Sequence, residues 1–184
     1  MTAPSLPDNE GRRPGHHPDG TAHGKCQVPQ EHQLKPSLQP GIKYQHRFVV
    51  PTTKTVPALY PEAAEFLAMP EVFATGFLVG LLEWACIKAI NPHLDWPLEQ
   101  TVGTYINVSH SAATPPGMEV TATVELLAVE GKKLVFSVRA HDGVDLISEG
   151  QHERHVILRE RFEARVLSKK SGAQAFAQVG LPCR

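Results

Sequence analysis

The sequence predicts an α+β fold in which a curled antiparallel sheet wraps one long helix. Three observations carry that expectation: a long apolar run near the middle of the 184-residue chain, an alternating segment before it, and strand-like segments joined by tight turns after it.

The apolar run extends from Pro70 to Ile90. Pro70 and Glu71 suit a first helical turn, where the missing N–H costs nothing and a carboxylate meets the positive end of the dipole, and Asn91-Pro92 is a stop signal. At ~1.5 Å per residue, about 20 residues give roughly 30 Å of helix. Apolar residues fall on nearly every face, which predicts a helix enclosed by protein. A bilayer span is disfavoured by Glu83 and Lys88, since an acid or lysine near a membrane centre costs about 2.5–3.5 kcal/mol on insertion scales. Glu83 is expected to be desolvated among Leu81, Leu82, Trp84 and Ala85. It then either faces a polar cavity with a function, reaches a partner elsewhere, or marks a wet stripe of the helix.

Before the helix, Ile42 to Val50 alternates as a strand ended by Pro51, and Tyr60 to Leu67 suggests a short helix. After it, strands are expected over Thr101–Ala113, Met118–Val129, Leu134–Asp142 and Val144–Arg159, the last ending at Arg159 or running on to Val166. Thr114-Pro115-Pro116-Gly117, Glu130-Gly131-Lys132 and His141-Asp142-Gly143 are turn sequences, and such short connections join antiparallel neighbours. One strand, a long helix and a four-strand meander make the hot-dog arrangement. Its domain is expected over residues 41–168, between a disordered Pro/Gly/His-rich tail over 1–40 and a C-terminal tail over 169–184.

A formal net charge of −1, with acids and bases mixed along the chain, provides no footprint for nucleic acid or an anionic membrane. Cys26, Cys86 and Cys183 lie too far apart in sequence for a disulfide framework or metal-ligand spacing, and no signal peptide opens the chain, which suits a reducing cytoplasm. His16, His17, His23 and His32 read as solvated tail residues, so no metal site and no cofactor are expected. The sheet's edge and the lid region need cover, which predicts a dimer or higher assembly.

Taken alone, Thr75 is a capping or packing residue or a hydroxyl placed where free N–H groups favour negative charge. Glu83 lies two turns on, offset by about 80°, so both can border one cavity. His110 is an ordinary strand histidine or a group that polarises a carbonyl, orients water or protonates a leaving group. Arg154 either holds a carboxylate or phosphate or makes surface ion pairs. His141-Asp142 reads as a turn. Lys132, Lys133, Lys169 and Lys170 are solvated charge or phosphate contacts.

Several segments are similar in order to the bacterial fluoroacetyl-CoA thioesterase family: Val50-Pro51 with Lys54-Thr55-Val56, Leu59-Tyr60-Pro61-Glu62, Pro70 to Phe77, Glu83-Trp84-Ala85-Cys86, Ser109 to Gly117, Ala140 to Asp145 and His152-Glu153-Arg154. The resemblance covers roughly residues 45–166. It implies a hot-dog homodimer that hydrolyses a small acyl-CoA thioester, coenzyme A being part of the substrate. It also implies a catalytic set at Thr75, Glu83 and His110, with Gly103 and Arg154 at the substrate site. Phe66 matches an aromatic of the family's lid, whereas the aromatic gate before Pro70 is Met69 here. Met is flexible and fills irregular space, so a permissive pocket is expected. A non-catalytic acyl-CoA-binding protein is the alternative. It has no physical need for an acid–hydroxyl–imidazole set in an apolar setting. Enoyl-thioester hydration on the same fold is weaker, because no matching motif is present.

Overall fold

A computed structural model describes residues 33–178. Its elements run β1 (Lys43–Val49), α1 (Ala64–Leu67), α2 (Thr75–Ile90), β2 (Glu99–Val108), β3 (Glu119–Glu130), β4 (Lys133–His141), β5 (Leu146–Leu158) and α3 (Arg159–Gln178). The strands form one antiparallel sheet in the order β1-β3-β4-β5-β2, so β1 and β2 are its edges.

Alternation along the strands decides which face packs on α2. Val120, Ala122, Val124 and Leu126 of β3 and Leu134, Phe136, Val138 and Ala140 of β4 are buried in one cluster with Leu78, Leu81, Leu82, Ala85, Cys86, Ala89 and Ile90 of α2. The intervening residues face solvent and pair across strands. Lys43 reaches the directly opposed Glu125 at 3.3 Å, and Arg47, opposite Thr121, reaches Glu119 diagonally across β1 and β3 at 3.7 Å.

The central helix begins five residues later than its apolar run suggests. Pro70 to Ala74 are withdrawn from it by tertiary bonds: Phe73 N–H donates to the Thr114 carbonyl at 2.8 Å, Ala74 N–H to the Lys54 carbonyl at 3.1 Å, and Thr55 bridges Phe73. Nor is the helix enclosed on every side. Gly76, Gly80 and Trp84, four residues apart, form an exposed stripe along it. Among the described residues no helix is long and apolar enough to cross a membrane.

Two boundaries also differ from the sequence expectation. Strand β5 ends at Leu158 rather than running on toward Val166, and helix α3 crosses the expected start of the C-terminal tail at residue 169. At the other end, Leu38 is 6% exposed within the core and Lys35 Nζ donates to the Leu94 carbonyl at 2.9 Å, so residues 33–40 pack against the domain. The rest of the expected tail, with its histidines and Cys26, lies outside the described residues, as does Cys183. Leu38→Ala should therefore destabilise the protein by about 2–5 kcal/mol, the range for emptying a buried leucine site, with denaturant unfolding as the measurement.

Candidate active site

Thr75 is the first residue of α2, and the first intrahelical bond runs from Leu78 N–H to the Ala74 carbonyl at 2.9 Å. The amides of Thr75, Gly76 and Phe77 thus precede the helical ladder and remain available at the positive end of the dipole. Extended backbone at Ala74 (φ −76°, ψ 142°) turns the chain into the helix without a side-chain cap, which leaves the Thr75 hydroxyl for another partner. That partner is His110, two residues beyond β2, with Thr75 Oγ1 and His110 Nδ1 2.8 Å apart.

Burial pushes the His110 imidazole below its ordinary value of 6.5, against an opposing pull from the Ala112 backbone. A neutral ring accepts the Thr75 hydroxyl proton at Nδ1 when Nε2 carries its hydrogen, and Nε2 is buried without a hydrogen-bond partner among the described residues. The pair opens onto a cavity of about 250 Å³ lined also by Val56, Val72, Phe73, Ala112 and Ala113. Phe73 also lines a second cavity of about 340 Å³, with Phe48, Lys54, Phe77, Gly80, Leu81 and Trp84.

Glu83 belongs to a separate cluster. The eight-residue separation from Thr75 corresponds to about 12 Å along the helix axis. The carboxylate turns to the inner face of β5 and β2, where Oε1 lies 3.7 Å from Arg154 Nη1 and 3.6 Å from His152 Nε2. Its side chain is 38% exposed, so the expected desolvated carboxylate is not found. The cation that α2 does not offer comes from the sheet. Arg154 is 2% exposed, and donates from Nε to Thr101 Oγ1 and from Nη2 to the Thr101 carbonyl, both at 2.9 Å. Burial lowers its guanidinium pKa while the Glu83 carboxylate favours the charged form.

Gly103 makes this approach possible. It pairs with Arg154 across β2 and β5, and a Cβ added there would collide with Glu83 Oε1 and crowd the His152 ring at 3.1 Å. The register shifts between Gly103 and Tyr105, a bulge of the kind that re-aims backbone groups near sites. The Tyr105 carbonyl accepts a hydrogen bond from His152 Nδ1 at 2.8 Å, leaving Nε2 to accept from Arg154 Nη1 at 3.0 Å.

His152, 1% exposed, was not anticipated from the sequence. Period-two alternation in Gln151-His152-Glu153-Arg154-His155 puts His152 and Arg154 on one face, and that signal was available. The structure thus joins Thr75 to His110, and Glu83 to Gly103 and Arg154, but does not join the two groups. Phe66 packs against Tyr60 with ring centroids 5.3 Å apart, while Met69 is 52% exposed just beyond α1, and neither lines the two cavities described above.

Two other groups are structural. Asp142 accepts from Thr114 Oγ1 at 2.9 Å, Val144 N–H at 3.0 Å and Asp145 N–H at 2.8 Å, which is the expected turn role. Burial pushes its pKa up, but these donors outweigh that and hold it below the usual carboxylate value. Burial pushes the Cys86 thiol up to about 12, so it is not a nucleophile near neutral pH.

The inward-facing imidazoles give stability a pH dependence. Burial lowers the pKa of His46, His110 and His152 in the folded chain. The unfolded state therefore binds more protons below the ordinary imidazole value of 6.5, and stability falls as pH drops from there toward the depressed folded values. Denaturant midpoints should be flat above pH about 7 and decline below about 6.5, and a rise on acidification would contradict this.

A five-stranded antiparallel sheet packed on one long helix is the hot-dog architecture, and the hydroxyl–imidazole pair sits at the start of that helix. The family model described as fluoroacetyl-CoA-specific thioesterase matches residues 58–160, and the chain belongs to that family. It is 55% identical to the fluoroacetyl-CoA thioesterase of Streptantibioticus cattleyicolor over 136 residues, 74% of this chain and 97% of that protein. A solved structure of a fluoroacetyl-CoA thioesterase superimposes with a TM-score of 0.70 at 56% identity, covering 72% of this chain and 97% of the other. A hypothetical protein of Thermus thermophilus described as a thioesterase superfamily member reaches 0.66 at 28% identity, covering 74% and 96%.

Proposed function

We propose that this acyl-CoA thioesterase hydrolyses small acyl-CoA thioesters at a site centred on Thr75 and His110 and completed by Glu83 of a second copy of the chain. The observation that carries the reading is the 2.8 Å contact between Thr75 Oγ1 and His110 Nδ1 at the start of α2. Neutral His110 takes the hydroxyl proton as Thr75 Oγ1 attacks the thioester carbon, and the free first-turn amides stabilise the oxyanion. The C–S bond breaks and His110 returns the proton to the CoA sulfur. Water then cleaves the Thr75 acyl ester: its proton passes to Glu83 and on to Thr75 Oγ1 as the acyl C–O bond breaks, and its oxygen leaves in the free acid. A carboxylate beside Arg154 is a weaker nucleophile than a hydroxyl touching its base, so Thr75 is assigned the attack.

The homodimer in this proposal is supported by the apolar surface left open. Trp84 is 45% exposed beside the Gly76 and Gly80 stripe, and β2 is an unpaired sheet edge carrying exposed Gly103 and Tyr105. A cytoplasmic setting, where acyl-CoA is available and thiols stay reduced, belongs to the same reading.

The test is release of free thiol from short, branched, aromatic and fluorinated acyl-CoAs. Turnover of short substrates is expected, and binding without turnover would favour a non-catalytic acyl-CoA protein instead. With flexible Met69 in place of a rigid gate, kcat/KM for fluoroacetyl-CoA over acetyl-CoA should be on the order of 10² or lower. A ratio well above 10³ would contradict the permissive pocket.

A further inference from the structure

The acids and bases around the β3–β4 hairpin are unevenly paired. Lys133 Nζ takes both Glu130, at 3.1 Å, and Glu153, at 3.3 Å, and Arg159 takes Glu163 at 2.7 Å. These pairs engage three of the nearby carboxylates. Lys132 on the hairpin and Arg161 and Arg165 on α3 have no carboxylate within 4.0 Å among the described residues, yet they line one cavity of about 190 Å³ with His155. Arg161 and Arg165 are four residues apart on the helix, a spacing at which like charges repel. Arg161 and Arg165 are exposed, so water screens their repulsion, but three cations without a carboxylate partner around one concave space give it a local positive field that attracts an anion in a chain of net charge −1.

The other wall of the cavity is apolar. Val156, Leu158 and Phe162 line it, and Phe162 is 38% exposed, which leaves its ring accessible. Cations for phosphates beside an aromatic surface for a purine fit a phosphorylated adenosine better than a simple anion. The volume lies below the roughly 300–1,000 Å³ of pockets that bury a whole drug-sized ligand, so only part of a long substrate fits.

We infer that the cavity formed by the β3–β4 hairpin, the end of β5 and the first turns of α3 binds the 3′-phosphorylated adenosine diphosphate end of the acyl-CoA substrate through Lys132, His155, Arg161 and Arg165. The inference rests on the thioesterase reading above for the identity of its ligand. It assigns Lys132, rather than the paired Lys133, to the phosphates, and gives α3 a role in substrate capture that is separate from the chemistry at Thr75 and His110.

The experiment compares the Arg161→Ala/Arg165→Ala double variant and Lys132→Ala with the unaltered chain on acetyl-CoA and on acetyl-pantetheine, which lacks the nucleotide. Each variant is expected to raise KM for acetyl-CoA by about tenfold, as charge-assisted contacts are lost, with kcat and all acetyl-pantetheine parameters unchanged. Calorimetric binding of adenosine 3′,5′-bisphosphate should weaken in parallel, and inorganic phosphate should bind far more weakly than the bisphosphate. Unchanged KM for acetyl-CoA, or equal loss on both thioesters, would overturn the inference. Equal binding of phosphate and bisphosphate would reduce the cavity to a simple anion site and overturn it as well. If neither thioester were hydrolysed, the thioesterase reading would fail while calorimetry with the bisphosphate still decided whether the cavity takes this nucleotide.

Discussion

His110→Ala is expected to lower kcat by about 10²-fold or more, because it removes the base in contact with the Thr75 hydroxyl, and Glu83→Gln should cost about as much by removing the proton acceptor of the second step. Thr75→Ser should keep part of the activity and Thr75→Ala little. The measurement is steady-state thiol release, with circular dichroism confirming that each variant is folded. The pH dependence separates the roles further. With the imidazole held below its ordinary value by burial, kcat/KM should stay level through neutral pH and fall only on acidification below about 6.5, as His110 protonates. A folded His110→Ala variant with near-normal turnover would remove His110 from the chemistry.

Gly103→Ala is the second large effect expected. The added methyl would occupy the position of Glu83 Oε1, and the end of a flexible side chain can swing away at little cost to folding. The carboxylate would nonetheless lose its place beside Arg154 Nη1, at 3.7 Å, and misplacement by about 1 Å can cost on the order of 10² in rate. Gly103→Ala should therefore unfold at nearly the parent denaturant concentration while kcat drops by about 10–10²-fold. Equal loss of stability and activity would show that Gly103 serves packing alone.

The layout of the domain was legible because its signals are local. The alternation in β1, β3 and β4, the turn glycines and the apolar run of α2 are each contained within one stretch of chain. Where the sequence misled, bonds from distant segments decided the outcome. Pro70 looks like a helix start, yet Thr114 and Lys54 hold Phe73 and Ala74 in extended backbone, and that shift makes Thr75 the first helical residue. After Leu158, Arg159-Glu160-Arg161-Phe162-Glu163 is rich in helix formers with an i,i+4 Arg159–Glu163 pair, but the β-branched Val156-Ile157 before it favours extending the strand.

For the site, Thr75, His110, Glu83, Gly103 and Arg154 were named from motifs, but not their partition into two clusters. Helical geometry allows Thr75 and Glu83 to border one cavity. Only the placement of Arg154 and His152 on β5 shows that the carboxylate faces the sheet while the hydroxyl faces His110. His152 escaped notice because a polar run in a strand reads as solvent-facing until its alternation is set against the buried face.

In the proposed site one chain supplies the Thr75–His110 pair and a second copy supplies Glu83. Mixing two inactive proteins, Thr75→Ala and Glu83→Gln, under conditions that let subunits exchange tests it directly. In a mixed dimer one site would carry both substitutions and the other neither, so random exchange should restore about a quarter of the unaltered activity toward acetyl-CoA. Activity no higher than that of the separate variants, in a mixture shown to have exchanged, would contradict the shared site.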